Sequence, residues 1–406
     1  MTQKLRPKKG PGRKASRREM QRQPAPSKDS LLLSVLDEVH GERVLCTSLS
    51  RAAFAAGVAD KLPAASVTCF FLDVFLAQQA RDQVAEGRPN LSMICETDLP
   101  DGPFDTVAFP FLKQGEAELT RELLQQGHER LTLGGRMLVS TTNPRDKWMK
   151  EQLETLFDKV MSRPHSHGVI YLATKTEPLK RLRDFTAEFA FRDAERLVKA
   201  ISRPSVFNHR ELDVGSRAIL EATLSPEKIV RRGMRILDIG CGAGTVGIAL
   251  ALRAANVHVH AVDSNPRALQ CTARGAELNG LRLLNRLPKP EVKDVGRIAN
   301  PAERHKKPSD EDSTSTLSTQ LDAEGNIPLP GSFDIVLANP PYYSNWAIAK
   351  IFVEAAARAL KPGGQLFLVT KHAEWYLNNL PFVLSDVESR EVRDYAIITA
   401  RQRARK

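Results

Sequence analysis

The chain of 406 residues lacks the features of membrane-inserted and disulfide-bonded proteins. No apolar run approaches the roughly 20 residues that span a bilayer, and nothing near the N-terminus resembles the apolar region of a signal peptide. The five cysteines are an odd number, lie in apolar surroundings and include no Cys-x-x-Cys pair, which favours reduced, packed thiols over disulfides or zinc ligands. We therefore expect a soluble, cytoplasmic protein.

The excess of basic over acidic residues is concentrated in the first 30 residues. This segment carries ten basic side chains against Glu19 and Asp29, so it holds +8 of the net charge of +11. A basic tail that contains proline and glycine suits a phosphate backbone, which favours contact with nucleic acid. The alternatives are a solvated tail that only aids solubility and an organellar transit peptide. The second is disfavoured because the tail has few serines and no amphipathic apolar face.

Strand-like and helix-like segments alternate along both halves of the chain, which predicts mainly parallel sheets with helices on both faces. The predicted strands are 43–47, 67–73, 91–95, 104–109, 136–140 and 168–173, then 235–239, 257–263, 316–321, 334–338, 365–370 and 395–400. Helices are predicted over 115–131 and 186–200, and an extended segment over 203–216. The expected organisation is a tail (1–30), a first domain (31–175), a linker (176–203) and a second domain (204–406) with a surface insertion over 285–315.

The two halves resemble copies of one unit. Phe-Asp at 104–105 is followed 30 positions later by Gly-Gly at 134–135, and Phe-Asp at 333–334 is followed 30 positions later by Gly-Gly at 363–364. Tandem duplication explains this spacing better than chance. A glycine cluster in the second copy has no counterpart in the first, where 46–51 reads Cys-Thr-Ser-Leu-Ser-Arg. We therefore expect a single ligand loop.

That glycine cluster lies in the run 235–250, which reads Arg-Ile-Leu-Asp-Ile-Gly-Cys-Gly-Ala-Gly-Thr-Val-Gly-Ile-Ala-Leu. An apolar strand passes there into a helix through closely spaced glycines, and glycine lets backbone approach a cofactor that a side chain would push away. The spacing Gly242-x-Gly244-x-x-Gly247 also satisfies the dinucleotide fingerprint. The run alone therefore allows either NAD or S-adenosylmethionine.

Asp263 ends the next predicted strand, nineteen residues beyond Gly244. An acidic side chain there can accept hydrogen bonds from both ribose hydroxyls of either cofactor. The alternative is an aspartate that caps the next helix, whose Pro266 suits a first turn, and the two roles can coexist. Asp263 therefore indicates a nucleoside site without choosing its occupant.

Asn339-Pro340-Pro341-Tyr342 follows the fourth predicted strand and decides between the cofactors. Two prolines lock the backbone and remove two N–H donors, leaving an amide side chain and bare carbonyls as acceptors. An amino group on a planar ring needs such a partner, because accepting its two hydrogens draws the nitrogen toward tetrahedral geometry. We expect Asn339 and the Pro340 carbonyl to grip the amino group, Tyr342 to stack on the ring, and a methyl sulfonium to supply the carbon, with no metal required. A proline-rich turn is the alternative.

The motifs at 238–244, Asp263 and 339–342 resemble the signatures of class I S-adenosylmethionine-dependent N-methyltransferases. The duplicated layout, with a degenerate first copy and the segment 207–216, is similar to the two-domain ribosomal-RNA guanine-N2 methyltransferases of the small-domain superfamily. The resemblance covers about residues 31–400 and implies two tandem Rossmann-like domains. In that family the second domain binds the cofactor and transfers the methyl group, and the first helps to position RNA.

The resemblance also implies roles for individual residues. Asp238, Gly240, Gly242 and Gly244 would line the methionine part, Asp263 the ribose, and Asp322 the adenine amino group. At the position of Tyr342 the guanine methylators more often show phenylalanine, whereas tyrosine is common in protein-glutamine and adenine-N6 methylators. Methylation of guanine N2 in ribosomal RNA is the expected activity. The alternatives are protein-glutamine or adenine-N6 methylation, a dinucleotide-dependent oxidoreductase, and a non-catalytic RNA-binding or ribosome-assembly protein.

Three further features are weaker candidates. Lys371 and His372 follow a predicted strand and could contact substrate or phosphate, although a solvated pair is favoured. For Tyr343 and Trp346, a role in a stacking surface and a position in the core are equally favoured. Cys241 suggests redox chemistry, but a small packed side chain is favoured.

Removing residues 1–30 should weaken RNA binding and flatten its dependence on salt, because fewer counterions would be released when the RNA binds. The measurement is the Kd for RNA over a series of salt concentrations, for the full chain and the truncated chain. Identical affinities across that series would exclude the tail from RNA contact.

Overall fold

The computed structural model describes residues 30–224, 229–285, 314–341 and 346–404. Its first sheet holds β1 (Arg43–Thr47), β2 (Ser66–Phe71), β3 (Leu91–Cys95), β4 (Phe104–Phe111), β5 (Leu131–Thr141), β6 (Val160–His165) and β7 (Gly168–Thr174). The strand order is β3-β2-β1-β4-β5-β7-β6, and only the pairings of β7 with β5 and β6 are antiparallel. The helices of this half are α1 (Ser30–Leu33), α2 (Ala53–Lys61), α3 (Val74–Val84), α4 (Ala117–Arg130) and α5 (Trp148–Glu154).

An antiparallel hairpin joins the halves, made of β8 (Ala187–Asp193) and β9 (Arg196–Ser202). The helix predicted over 186–200 is therefore wrong. Alternate residues Ala187, Phe189 and Phe191 are the less exposed ones along β8, which is the two-residue period of a half-buried strand. The prediction of an extended segment over 203–216 is also wrong, because turns occupy most of 203–213 and a helix capped by Asp213 begins at Val214.

The second sheet contains β10 (Arg235–Ile239), β11 (His258–Asp263), β12 (Arg282–Leu283), β13 (Thr316–Leu321), β14 (Phe333–Ala338), β15 (Leu360–Thr370), β16 (Ser385–Val392) and β17 (Tyr395–Arg401). Its helices are α6 (Val214–Ala222), α7 (Thr245–Leu252), α8 (Pro266–Leu278), α9 (Ala347–Ala359) and α10 (Ala373–Asn379). The strand order is β12-β13-β11-β10-β14-β15-β17-β16. Apart from the short β12, this order repeats the first sheet strand by strand, which confirms the expected tandem α/β fold.

The Phe-Asp and Gly-Gly pairs have the same structural role in both copies. Asp105 accepts a hydrogen bond from the backbone N–H of Arg43 at 3.0 Å, and Asp334 accepts one from Arg235 at 2.9 Å. A register shift follows the phenylalanine of each pair, between β4 and β5 and between β14 and β15. These shared irregularities are evidence of duplication that is independent of strand order.

Apolar clusters lie on both faces of each sheet. In β1 the alternate residues Val44 and Cys46 pack toward α2 and α3, whereas Leu45 packs toward α4 and α5. In β10, Ile236 joins the cluster of α6 and α7, and Leu237 joins that of α9 and α10. Such strands are apolar on both sides because helices cover both faces.

The predicted tail and most of the insertion predicted over 285–315 fall outside the described residues. Within the described ranges, no helix is long and apolar enough to cross a membrane.

Two buried arginines connect the copies. Arg267 of α8, which is fully buried, donates from Nη1 to Glu122 Oε2 of α4 at 2.5 Å. Arg203 donates from Nη2 to Glu122 Oε1 at 2.8 Å and from Nη1 to Asp98 Oδ2 at 3.0 Å. Burial opposes ionisation of Asp98, but the Arg203 guanidinium holds the pKa of that carboxyl below its ordinary value. The two domains therefore share one ionic network.

Replacing Glu122 by Ala should lower the free energy of unfolding by about 3–5 kcal/mol, because two arginines would remain buried without their shared carboxylate. The measurement is denaturant unfolding followed by circular dichroism. Lys150→Ala is the control, since it breaks the exposed pair with Glu154 and should change stability little. Equal effects of the two substitutions would contradict a structural role for the network.

Candidate active site

The sequence motifs meet at the carboxyl edge of the second sheet. β10 lies between β11 and β14, with Ile239 aligned to Val262 on one side and to Ala338 on the other. The glycine loop that follows β10 therefore lies between Asp263 and Asn339. Open α/β sheets bind ligands at this edge, where neighbouring connections depart to opposite faces.

The glycine loop passes into α7 through left-handed backbone. Gly242 has φ of +54° and Gly244, the N-cap of α7, has φ of +71°. A Cβ at Gly244 would also lie 2.6 Å from Cγ2 of Thr272, so this position excludes every larger residue. At Gly242 an added Cβ would meet no protein atom within 4 Å, so only the left-handed backbone favours glycine there.

Asp238 lies beneath this loop at the end of β10. It is buried, and its Oδ2 accepts from the backbone N–H of Gly247, in the first turn of α7, at 3.1 Å. Burial raises the pKa of Asp238 to about 7. The carboxylate thus has one fixed donor at a helix N-terminus, where negative charge is favoured, and its charge responds to any cation bound above the loop.

Asp263 ties the loop to the next strand end. Its Oδ2 accepts from the N–H of Gly242 at 2.9 Å, and its Oδ1 accepts from the N–H of Asn265 at 2.9 Å. Each carboxylate oxygen accepts more than one hydrogen bond, so these contacts are compatible with the predicted ribose contacts. Asn265, whose side chain accepts from Arg267 N–H, caps α8, with Pro266 in its first turn. The residue that caps α8 is therefore Asn265 and not Asp263.

Asp322 directly follows β13, and its backbone N–H donates to the carbonyl of Asp263 at 3.1 Å. Its Oδ2 accepts from three successive N–H groups, those of Glu324, Gly325 and Asn326, and its Oδ1 accepts from the Asn326 amide at 3.0 Å. Asp322 therefore lies beside the nucleoside edge with its carboxylate occupied by its own turn. An adenine amino group would have to share Oδ1.

Asn339 has a partner that the sequence analysis did not identify. Its Nδ2 donates to Asp213 Oδ2 at 2.8 Å. The same carboxylate oxygen accepts from the N–H of Ser216 at 2.9 Å, and Asp213 thereby caps α6. Asp213 therefore sets which end of the Asn339 amide is the donor. Aspartate is a preferred N-cap residue, so the sequence could have indicated Asp213 as the cap of α6, but no local pattern pointed to its contact with Asn339. Pro340 is buried, and Tyr342 lies outside the described residues.

The first copy supports the site through the segment 203–210. Within this segment Ser205 accepts from the Asn265 amide at 3.0 Å and donates its N–H to Glu116 at 2.8 Å. Val206 belongs to the same apolar cluster as Ala243 of the glycine loop. Left-handed backbone at Ser205, Asn208 and Arg210 (φ 78°, 55° and 82°) marks a strained segment that these contacts hold in place.

A second contact between the copies lies beside Asp263. Ser264 donates its hydroxyl to Asp73 Oδ2 at 2.7 Å and accepts from the N–H of Val74 at 2.9 Å. Asp73 follows the end of β2 by two residues and caps α3, whereas Asp263 is the last residue of β11. Corresponding strand ends of the two copies therefore face each other.

The weaker candidates differ in their exposure. Cys241 is buried, and desolvation raises the pKa of its thiol well above the ordinary value, so the side chain is a packed, protonated thiol. Lys371 and His372 are exposed, and the Lys371 Nζ lies 4.9 Å from the Tyr395 ring centroid. Trp346 is 46% exposed and is therefore not a core residue, and Tyr343 lies outside the described residues. Among the described residues, no three His, Cys, Asp or Glu side chains form a possible metal site.

Comparison with known proteins agrees with this geometry. The sequence pattern of the methyltransferase small domain family matches residues 198–297 and 302–399. The second half of the chain belongs to this family. That match covers the glycine loop, Asp263 and Asn339, so all three lie in a methyltransferase domain.

Two relatives are named ribosomal RNA small subunit methyltransferase C. The chain is 23% identical to that of Pseudoalteromonas translucida over 349 residues, which are 84% of this chain and 88% of the relative. It is 32% identical to that of Chromohalobacter salexigens over 172 residues, which are 41% of this chain and 40% of the relative. The first relationship therefore extends over both copies.

A solved structure shares the whole architecture. It is the 16S rRNA N2 methyltransferase of T. thermophilus, in complex with AdoMet and guanosine, and it superposes with a TM-score of 0.70 at 19% identity over 92% of each chain. Such a likeness shows the fold. The two-domain methyltransferase architecture expected from the sequence is thus confirmed.

The residues at the carboxyl edge fit S-adenosylmethionine. The ligand carries an ammonium group and a ribose, and this methyltransferase domain offers two carboxylates, Asp238 and Asp263, that both contact the backbone of the half-buried glycine loop. Bound there, the cofactor would supply a methyl group activated by a sulfonium.

The affinity for S-adenosylhomocysteine should rise about 10-fold between about pH 6 and pH 8, because Asp238 must ionise to pair with the ligand's ammonium group. Folding raises the pKa of Asp238, so its protonated carboxyl contributes fully to the stability of the folded state below the ordinary pKa. This contribution is lost as the pH rises through 7. Because the ordinary pKa is 3.8 and the folded value is about 7, this stability is lost between about pH 4 and pH 7 and should change little above pH 7.

Isothermal titration calorimetry at several pH values measures the first effect, and Asp238→Asn is the control that should give a flat profile. A flat profile for the unchanged protein would contradict the assignment of Asp238 to the cofactor.

Proposed function

We propose that the chain transfers a methyl group from S-adenosylmethionine to the exocyclic N2 of guanine in ribosomal RNA, in the cytoplasm. The observation that carries this proposal is the Asn339 amide, whose Nδ2 is held by Asp213 at 2.8 Å beside the glycine loop. A fixed amide next to a nucleoside site can accept hydrogens from an amino group. The names of the relatives and of the T. thermophilus structure support guanine in ribosomal RNA as the acceptor.

The residues of the chain position both reactants. The loop backbone, Asp238 and Asp263 hold the cofactor, while the amide oxygen of Asn339 and the carbonyl of Pro340 accept the two hydrogens of the amino group. This contact reduces delocalisation of the nitrogen lone pair into the ring, and it directs the lone pair at the methyl carbon. The cofactor held by Asp238 and Asp263 would supply the methyl group, and the electron pair of its S–C bond would stay on its sulfur. The amino nitrogen then loses one proton to water.

In this proposal the first copy positions RNA and braces the catalytic site. Its residues Glu116 and Asp73 contact the segments next to Ser205 and Ser264, so RNA bound on the first domain lies on a body fixed to the cofactor edge. The domain boundaries expected from the sequence, 31–175 and 204–406, are part of this proposal. Tyr342 would stack on the guanine ring from the far end of the motif.

Two alternative acceptors are compatible with a specific residue of the motif. Tyrosine at position 342 is also compatible with transfer to a protein glutamine or to adenine N6, and both groups would use the same amide grip. The test therefore has to identify the methylated atom.

The deciding experiment incubates the full chain with labelled S-adenosylmethionine and total RNA from a strain that lacks the protein, and digests the RNA for nucleoside mass spectrometry. We expect label in N2-methylguanosine. Label in N6-methyladenosine or only in protein would replace guanine as the acceptor, and absence of transfer together with absence of cofactor binding would favour a non-catalytic protein.

Asn339→Ala should lower kcat by about 100-fold or more and leave the affinity for S-adenosylhomocysteine nearly unchanged, because it removes only the grip on the amino group. Asp213→Ser is a matched variant, since serine can still cap α6 but cannot hold the amide in the same way. It should lower kcat less than Asn339→Ala and keep the stability. Turnover of Asn339→Ala at the rate of the unchanged protein would contradict the mechanism.

A further inference from the structure

An exposed aromatic stack lies next to the candidate active site. The Trp346 and Trp375 rings are parallel within 2°, with centroids 5.2 Å apart, and His372 and Tyr376 meet Trp346 edge-on at 6.3 and 6.5 Å. Tyr376 is buried and anchors α10, whereas Trp346 is 46% exposed. The stack therefore presents an indole to solvent on a rigid support.

Topology places this stack beside Asn339. β14 and β15 are parallel neighbours, with Ala338 aligned to Leu368, so Asn339 and the residues after Thr370 leave the same edge of the sheet. Phe352 of α9 lies against the glycine loop, since a Cβ on Gly240 would be 3.1 Å from its ring. Trp346 is six residues earlier, which is about 9 Å along a helix axis. Trp346 caps the helix that follows Asn339 by a few residues, so it lies at the same edge of the sheet as both motifs.

Among the described residues, the ring contacts of Trp346 still leave it 46% exposed. The chain has only three tryptophans, and two of them form this stack. A large apolar ring left half in solvent at a binding edge is typical of an interaction site. Lys371 is exposed next to His372, and its ammonium group can reach a phosphate on the same side.

We infer that Trp346, supported by Trp375, stacks on the nucleobase adjacent to the target guanine in the RNA strand. This inference rests on the proposed function. A guanine whose amino group reaches Asn339 must leave its stack, so its neighbour loses a stacking partner. An indole at the mouth of the site replaces that partner and keeps the strand open. The contact accepts any base, because every base has a flat π face.

The test measures the Kd for protein-free ribosomal RNA with S-adenosylhomocysteine present, over a series of salt concentrations. Trp346→Ala should weaken binding about 10-fold without changing the salt slope, because stacking releases no counterions. Trp346→Phe should restore part of the loss. Lys371→Ala should instead make the affinity for RNA depend less steeply on the salt concentration.

Leu133→Ala is the matched control, because it removes another exposed apolar side chain, 68% exposed, from the first domain. It should bind RNA as the unchanged protein does. Affinity for S-adenosylhomocysteine should stay the same in all four variants.

An unchanged Kd for Trp346→Ala would overturn the inference, and so would a loss that Trp346→Phe does not reduce. A change in self-association or in protein binding, with RNA affinity intact, would assign the stack to a protein partner and also overturn it. The proposed function fails separately, when the unchanged protein places no methyl group on RNA guanine.

Discussion

The paired contacts of Glu122 with Arg203 and Arg267 are the interaction on which the relation between the two copies depends. Removing a guanidinium from water is costly, and the cost is offset only when carboxylates occupy fixed positions around it. Glu122 comes from α4 of the first copy and Arg267 from α8 of the second, so the charges match in a single arrangement of the domains. That arrangement also places the segment 203–210 between the two domains.

The two copies have diverged in function while keeping one architecture. Both retain the same strand order, the same register shift after Phe-Asp and the same aspartate contact to the first strand. Only the second retains the glycine loop. The first copy contacts the second at Ser264, next to Asp263, and at Ser205, next to the segment that packs on Ala243. The first copy, which lacks the ligand loop, thus contacts the second copy on both sides of that loop.

Most of the fold could be predicted from local patterns. The strands at 43–47, 91–95, 235–239 and 316–321 have the predicted bounds, because buried strands between turn residues produce a strong, short apolar signal. The hairpin of β8 and β9 was predicted as a helix, since its two-residue alternation is mixed with charged residues that also suit helices. The contact between Asp213 and Asn339 could not be predicted, because the two residues are 126 positions apart and meet only when β14 packs beside α6.

The sequence by itself determined the duplicated α/β fold, the single glycine loop and the choice of a methyl donor, because each of these depends on residue types at short, regular spacings. Only the tertiary structure decided what surrounds each motif. Burial places Asp238 beneath its loop with a raised pKa, and the carboxylate of Asp322 is taken up by its own turn. The stack of Trp346 on Trp375 likewise needs two helices that follow different strands. Desolvation and side-chain partners arise from packing between distant segments, which spacing along a chain does not encode.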